Sequence, residues 1–261
     1  MVLLFLGIFA SCLTGCSQTQ DKSVTVGTLT SYPPYTFEKT PGEQRTTDSV
    51  APGKDSEILQ GYAWDILRES LHAMGYTIEL RIYPWDEALE AAKSGEVDVI
   101  FPTSFKEERT AYFYFSQEPI DTTNFVIYTT QDSPIQWGNL SSLDGLTIAV
   151  MHGWDYGSEW DGANYIDKIE VDSILQALQM LDNESIDGFA SYEIIVDSTL
   201  KNENWPTSYR KLPGFGSSVE YLAGSQNNSK VKEILNAFDT GKRQIIENGT
   251  MAEINEKWGL Q

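Results

Sequence analysis

The sequence predicts an α/β protein of two lobes, each with a mainly parallel sheet that helices cover. Three observations support this fold class. Between residues 24 and 101 the chain alternates strand and helix patterns, which is typical of a parallel sheet with covering helices. A second set of alternations starts near residue 143. The 261 residues also suffice for two compact lobes of roughly 100 residues or more, each with its own core.

The N-terminus, residues 1–15, is predicted to be a lipoprotein signal peptide. Val2 to Ala10 form an apolar run that is too short to cross a bilayer but fits a signal peptide. Leu13 to Cys16 resemble a bacterial lipobox, which makes Cys16 the expected site of lipid attachment. Positive residues are missing before the apolar run, so an upstream start, an atypical signal and a buried apolar segment stay open. The polar residues 16–23 predict a tether.

Charge and cysteine usage limit the partners. Eighteen basic residues oppose thirty-eight acidic ones, and the formal net charge of −20 excludes nucleic acid as a partner and disfavours contact with anionic lipid surfaces. Solubility at an exposed cell surface explains this charge, and recruitment of a cationic ligand is the open alternative. Cys12 would be removed with the signal, which leaves no thiol for a disulfide or a metal, and we expect no cofactor.

The first predicted strand is Val24 to Leu29. Tyr32-Pro33-Pro34-Tyr35 ends it, because two prolines cannot continue a central strand. Glu38 to Leu59 are rich in Pro, Gly, Ser and charge and lack an apolar period, which predicts a long loop. This loop is either a lid or, as its few aromatic residues favour, a surface insertion.

A helix and a strand follow. Asp65 is placed to cap a helix that runs to Met74 and stops at Gly75. Thr77 to Ile82 then predict the next strand of the parallel sheet.

Trp85 to Arg109 join a helix, a strand and a candidate anion clamp in one unit. Alanines around Leu89 favour a helix that Gly95 ends, and Val97 to Phe101 predict a buried strand that Pro102 terminates. Two hydroxyls and a guanidinium then follow the carboxyl end of the strand, where open α/β sheets bind ligands. Arginine suits a carboxylate because it donates two parallel hydrogen bonds. These three side chains belong to Thr103, Ser104 and Arg109.

The remaining elements repeat the pattern. Phe125 to Thr130 predict a crossing strand, and Thr147 to Met151 and Ile186 to Ser191 predict strands of the second lobe. The inner face of the helix between them is formed by Ile174, Leu175, Leu178 and Leu181. From Asn228 a long amphipathic helix runs to Gly249, and a short helix ends near Trp258.

Six short segments, in this order and spacing, resemble family 3 of the bacterial extracellular solute-binding proteins, the amino-acid receptors of ABC importers. The resemblance covers nearly all of the chain after the tether. The segments are SYPPY at 31–35, GYAWDIL from Gly61, WDEAL with SGEVD from Trp85, EER at 107–109, LDGLTIAV from Leu143 and the closing NGTMAEINEKWG.

This resemblance implies a type II periplasmic-binding fold, with the ligand in a cleft between two lobes. The first lobe would comprise residues 24–127 and 220–261, and the second lobe residues 128–219. A receptor of this kind would be a lipid-anchored monomer at the periplasmic or cell-surface face of a bacterial membrane. It would capture a small polar, amino-acid-like solute and deliver it to an ABC permease, without metal or cofactor.

The resemblance also assigns ligand-binding residues. Arg109 matches the arginine that holds the ligand carboxylate, and Thr103 and Ser104 lie in the hydroxyl-bearing segment beside it. Tyr32 and its neighbour Tyr35 match aromatic positions at the ligand, and Trp85 stands where a flat wall is common. The alternatives are a surface ion pair for Arg109 with a nearby glutamate, and ordinary core packing for the aromatics.

Two departures leave the solute open. Asp155 stands near a position that usually offers a small hydroxyl to the ligand carboxylate, which it would repel. Tyr192 replaces the aspartate that usually pairs with the ligand amine, and Glu193 follows it. Asp155 or Glu193 could take over the amine contact or could simply cap a helix.

Two other function classes compete with the transport receptor. Some relatives on this fold are dehydratases of cyclohexadienyl compounds, and such an enzyme would need a placed acid. Others are sensors that report the same kind of solute to a partner protein. The two histidines lie far apart without the spacing of metal ligands, so we expect His72 to be an exposed helix residue and His152 a loop residue.

Overall fold

The computed structural model describes residues 22–259. The predicted signal peptide, Cys16 and most of the tether therefore lie outside the described residues. Fourteen strands occur in this part of the chain: β1 (Lys22–Thr28), β2 (Ser31–Tyr32), β3 (Thr36–Glu38), β4 (Thr47–Val50), β5 (Leu59–Gln60), β6 (Tyr76–Ile82), β7 (Val99–Ser104), β8 (Phe113–Phe115), β9 (Asp121–Thr130), β10 (Thr147–Met151), β11 (Asp167–Val171), β12 (Gly188–Tyr192), β13 (Tyr209–Lys211) and β14 (Gly216–Ser225).

Seven α-helices accompany these strands within residues 22–259. They are α1 (Tyr62–Ala73), α2 (Trp85–Ser94), α3 (Ser158–Gly162), α4 (Ile174–Asp182), α5 (Glu193–Asn202), α6 (Val231–Glu247) and α7 (Thr250–Trp258). The predicted α/β class is confirmed, and β10 has the predicted bounds. The sequence patterns missed α5, β11 and β14.

One large mixed sheet runs through the molecule in the order β11-β10-β12-β9-β14-β7-β1-β6-β4. Strands β7, β1 and β6 are parallel, with β4 antiparallel at the edge, and together they form the first half-sheet. Strands β12, β10 and β11 are parallel and form the second half-sheet. The antiparallel pair β9 and β14 lies between the two, so these strands join the halves.

Helix α6 returns the chain to the first half-sheet and packs against α1. The approach is so close that a Cβ atom on Gly241 would lie 1.9 Å from the backbone oxygen of Ser70, and only glycine fits there. Asp65 was wrongly predicted as a cap, because α1 begins three residues earlier, after Gly61. Asp65 is instead 2% exposed and bonds Arg68, Lys257 and the indole nitrogen of Trp258.

The predicted loop at 38–59 contains ordered structure. Strand β4 pairs antiparallel with β6 and lengthens the edge of the first half-sheet. The prediction was wrong here because the sequence of β4, TDSV, is polar, as suits an edge strand whose outer side faces water. The remainder is held to the fold, since Asp55 bonds Arg68 and the indole of Trp64.

Pro102 does not end its strand, contrary to the prediction. Strand β7 continues through Pro102 to Ser104. The pairing with β14 changes register between Tyr221 and Ala223, opposite this proline. A bulge of this kind tolerates proline, because no ladder hydrogen bond is required from the missing N–H. The continuation carries Thr103 and Ser104 to the end of the sheet beside Glu220.

Candidate functional site

A cavity of about 290 Å³ lies beyond the carboxyl end of β7, where the two half-sheets face each other. The first half supplies residues around β2 and β7, and the second supplies the loop after β10 and the end of β12. The structure brings six of the residues predicted from sequence into this one lining: Tyr32, Trp85, Ser104, Arg109, Asp155 and Tyr192.

The Arg109 guanidinium is held by one of its three nitrogens. Nη1 donates to Thr103 Oγ1 and to the backbone oxygen of Ser104, both at 2.9 Å. Thr103 thus contacts the site through Arg109. Within residues 22–259 the guanidinium forms no salt bridge, so the proposed surface ion pair with a glutamate is wrong. Burial lowers the pKa of Arg109, but an arginine remains charged. Its remaining donors are available to an anion.

Aromatic rings wall the cavity on both sides. The Arg109 guanidinium carbon lies 5.9 Å from the ring centre of Trp85. Tyr32, from the first half, meets Trp154 edge-on across the cleft at 6.5 Å. Trp154 in turn packs on Tyr192 at 4.6 Å, and the Tyr192 hydroxyl donates to the backbone oxygen of Asp155. Flat apolar walls of this kind suit the aliphatic part of a small solute.

Asp155 lies at the mouth of the cleft. Its Oδ1 accepts a hydrogen bond from the Gly157 amide, and its Oδ2 lies 3.1 Å from the Nζ atom of Lys106 in the other half. The Gly157 amide, followed by Lys106, lowers the pKa of Asp155. The carboxylate therefore has two partners already.

Besides Thr103, which lies behind Arg109, two more predicted ligand residues lie outside this lining. Tyr35 is fully buried behind Tyr32, on which it stacks at 5.0 Å, and its hydroxyl donates to Asp121. Glu193 lines a second, larger cavity of about 470 Å³ and bonds Lys211 and Asn124. Since the acids there are largely paired, the smaller cavity with its accessible guanidinium is the better candidate.

Glu220 is the acid that the sequence patterns missed. It lies on β14, directly opposite Ser104 in β7, lines the small cavity and is 4% exposed. Burial raises the pKa of Glu220 to about 7, and Asp121 adds to the rise, whereas Ser218 and Arg109 lower it. A lone acid in a strand belongs to no motif. The one available signal was a charged residue within the otherwise uncharged stretch GSSVEYLAGS.

The two histidines contribute to neither cavity. His72 is half-buried, contrary to the prediction, with Nε2 3.3 Å from the backbone oxygen of Val50, and His152 pairs with Glu170 in a loop. In the described part of the chain, no three His, Cys, Asp or Glu side chains are grouped to hold a metal ion. No helix between residues 22 and 259 combines the length and apolar composition that would cross a membrane.

The chain is similar to known proteins along nearly all of its described length. Residues 24–261 match the family model for bacterial extracellular solute-binding proteins, family 3. The L-cystine-binding protein TcyA of Bacillus subtilis is 23% identical, over 90% of this chain and 80% of that protein.

Two solved structures show the fold. The unliganded, open L-cystine receptor of Neisseria gonorrhoeae aligns with a TM-score of 0.69 and 23% identity, over 92% of this chain and 93% of that one. An ancestral amino-acid-binding protein, a precursor of cyclohexadienyl dehydratase, aligns with a TM-score of 0.64 and 18% identity, over 90% and 94% of the two chains. The predicted type II periplasmic-binding fold is thereby confirmed.

Proposed function

Because the chain belongs to the bacterial extracellular solute-binding proteins, family 3, we propose that it captures a small polar, amino-acid-like solute for an ABC importer. The observation that carries this proposal is the cavity itself. It presents the accessible edge of the Arg109 guanidinium between aromatic walls. A carboxylate can accept two parallel hydrogen bonds from such an edge.

The size of the cavity supports a small solute. At about 290 Å³ it lies at the lower limit of typical ligand pockets, which span roughly 300–1,000 Å³. Its lining also carries charges of both signs, with Arg109 and Lys106 opposed by Asp155 and Glu220. A zwitterion matches this balance better than an apolar compound or a polyanion does.

Capture would involve closure of two lobes about the strands β9 and β14. In this proposal the first lobe comprises residues 24–127 and 220–261, and the second comprises residues 128–219. Release to a membrane permease needs the opposite motion. The lipobox-like segment supports attachment through Cys16 to a bacterial membrane, at its periplasmic or cell-surface face. The receptor would act as a monomer.

A thermal-shift screen tests the proposal. A solute that binds only the native state raises the melting midpoint, by an amount that grows with its concentration relative to Kd. We expect at least one member of a panel of the twenty standard amino acids and L-cystine to raise the midpoint of the wild-type protein. If none does, at millimolar concentration and across pH 6–8, this proposal is wrong.

One observation favours a second candidate, an enzyme that converts a hydroxylated cyclohexadienyl acid into an aromatic product with loss of water and of the ring carboxylate as carbon dioxide. Glu220 has a pKa of about 7 and faces the cavity, so it can carry a proton to a leaving hydroxyl near neutral pH. The test is incubation of the purified protein with a cyclohexadienyl acid, followed by the absorbance of an aromatic product. Turnover that Glu220→Gln abolishes would establish the enzyme, and no turnover in the wild type would reject it.

A further inference from the structure

Glu220 is a buried acid with no cationic partner in the described part of the chain. Within residues 22–259 its carboxylate forms no salt bridge and receives one side-chain hydrogen bond, from Ser218 Oγ to Oε1 at 3.1 Å. A buried carboxylate normally has a counter-charge or several donors, because removal from water costs several kcal/mol. Glu220 lacks these, and it lines the cavity.

The other acids near the cleft already have partners. Asp155 has Lys106 and the Gly157 amide, and its side chain is 48% exposed. Glu193 has Lys211 and lies outside the lining. Asp121, across the strand pair from Glu220, accepts the Tyr35 hydroxyl and is not part of this lining either. Glu220 is therefore the acid whose missing partner a ligand can supply.

The position of Glu220 relative to Arg109 suggests what that partner is. The Arg109 guanidinium is bonded to Ser104, and Ser104 lies directly opposite Glu220 in the strand pairing. The two charges act on one another, since Arg109 opposes the rise in the pKa of Glu220. An anion-binding group and an unpaired anion thus share one small cavity.

We infer that Glu220 receives the ammonium group of an α-amino-acid solute while Arg109 holds its carboxylate. This inference rests on the proposed function and narrows it, because the cleft would then select zwitterions over acids that lack the amino group. Tyr192, at the end of β12, does not supply the negative charge for the ammonium group, since its hydroxyl donates to the Asp155 backbone oxygen. The counter-charge comes instead from β14, a strand that joins the two half-sheets.

The test compares each amino acid that binds the wild-type protein with its deamino analogue, which for L-cystine is dithiodipropionate. Calorimetric titration at pH 8 is carried out on the wild type and on Glu220→Gln. The glutamine keeps the shape of the side chain and the acceptor for Ser218. Glu193→Gln is the matched control, since it makes the same change on an acid outside this lining.

We expect the wild type to prefer the amino acid over its deamino analogue by about 30-fold or more, as truncation of a buried charge pair predicts. Glu220→Gln should remove this preference, and the analogue should bind the variant at least as tightly as the wild type, because a negative charge near Arg109 is lost. Glu193→Gln should retain the preference. Amino-acid binding that Glu220→Gln leaves unchanged would overturn the inference but not the proposed function, whereas no amino-acid binding by the wild type overturns both.

A second measurement needs no variant and covers the case in which Glu220→Gln fails to fold. The preference of the wild type for an amino acid over its deamino analogue is measured between pH 5 and pH 8. The amino acid and its analogue both carry the carboxylate. Protein groups that contact only this carboxylate change both affinities equally with pH, so they do not change the ratio of the two. A preference that falls as the pH is lowered supports the inference, and a constant preference overturns it.

Discussion

The Nζ atom of Lys106 lies 3.1 Å from the Oδ2 atom of Asp155, and this ion pair crosses the mouth of the cleft. Both side chains are partly exposed, at 35% and 48%, so the pair contributes only about 0–1 kcal/mol to the contact between the halves. Its larger effect is electrostatic. Burial lowers the pKa of Arg109, and Asp155, after Glu220 and Glu108, places a negative charge nearby that opposes this fall.

Asp155→Ser should therefore strengthen the binding of carboxylate solutes by a few-fold. Serine removes the charge but keeps a hydroxyl that can accept from the Gly157 amide, so the turn before α3 survives. Titration of deamino acids into the variant and the wild type measures the effect. Asp197→Ser, which changes an acid outside the small cavity, is the control. Equal affinities in Asp155→Ser and the wild type would leave Asp155 with a role in the turn alone.

Arg109→Ala should abolish the thermal shift by any carboxylate solute. A hydrogen bond to a charged group contributes about 1.5–3 kcal/mol, and Arg109 can offer two of them. Arg109→Lys should recover only part of the affinity, because an ammonium group lacks the planar pair of donors. Arg243→Ala is the control, since that arginine pairs with Glu118 at the surface. An unchanged shift in Arg109→Ala removes Arg109 from the site.

Glu220 should make the stability of the unliganded protein depend on pH. Its pKa is about 7 when folded and 4.5 in the reference state, so between these values the folded state binds more protons. The contribution of Glu220 to the free energy of unfolding is fully present below pH 4.5 and is lost as the pH rises through 7. Each unit of difference between the two pKa values corresponds to about 1.4 kcal/mol. The groups that act on this carboxylate are Ser218, Arg109 and Asp121, with Tyr32 and Tyr192 nearby.

Glu220→Gln removes this dependence. We expect the variant to gain about 2–4 kcal/mol over the wild type in free energy of unfolding between pH 4.5 and pH 8. Chemical denaturation at several pH values measures the difference, and Glu193→Gln should show no such gain. A constant difference between Glu220→Gln and the wild type would show that Glu220 ionises normally.

Asp65→Ala should destabilise the protein by about 3 kcal/mol. The carboxylate is buried and joins Arg68 of α1 to Lys257 and Trp258 of α7, so its loss removes the negative charge that balances Arg68 and Lys257 and takes the acceptor from the Trp258 indole N–H. Glu69→Gln, at a half-buried acid that bonds the same arginine, should cost less than about 1 kcal/mol. Urea unfolding of both variants measures the two losses of stability. Equal urea midpoints for Asp65→Ala and Glu69→Gln would mean that the cluster around Asp65 contributes little to the stability of the protein.

Regular hydrophobic patterns were sufficient to predict much of the fold. Strand β10 and the end of α2 at Gly95 follow from apolar runs and from a glycine whose φ of 82° suits a helix end. Strand β4 and the continuation of β7 through Pro102 were not predictable in this way. An edge strand needs no apolar residues, and a bulge that accepts proline depends on the partner strand.

The first half of the candidate site was also predictable, because Thr103, Ser104 and Arg109 follow one another along the chain. Glu220 was not, since it is more than one hundred positions from Arg109 in sequence and meets it only through the pairing of β14 with β7. Glu193 is close to the site in sequence but not in space. It stands next to a cleft residue, yet the turn into α5 directs it to the other cavity.

The place of Glu220 on β14 has a consequence for the order of events during capture. Atoms close to a pivot travel least when two bodies rotate about it, and β14 with β9 joins the two half-sheets. A solute held by Glu220 and Arg109 would therefore keep both contacts in the open and the closed protein. Trp154 and Asp155, in the second half, would contact the solute only when the cleft closes. Substitution of the charged residues in the first half should then change mainly the association rate, and substitution of the aromatic residues in the second half should change mainly the residence time of the solute.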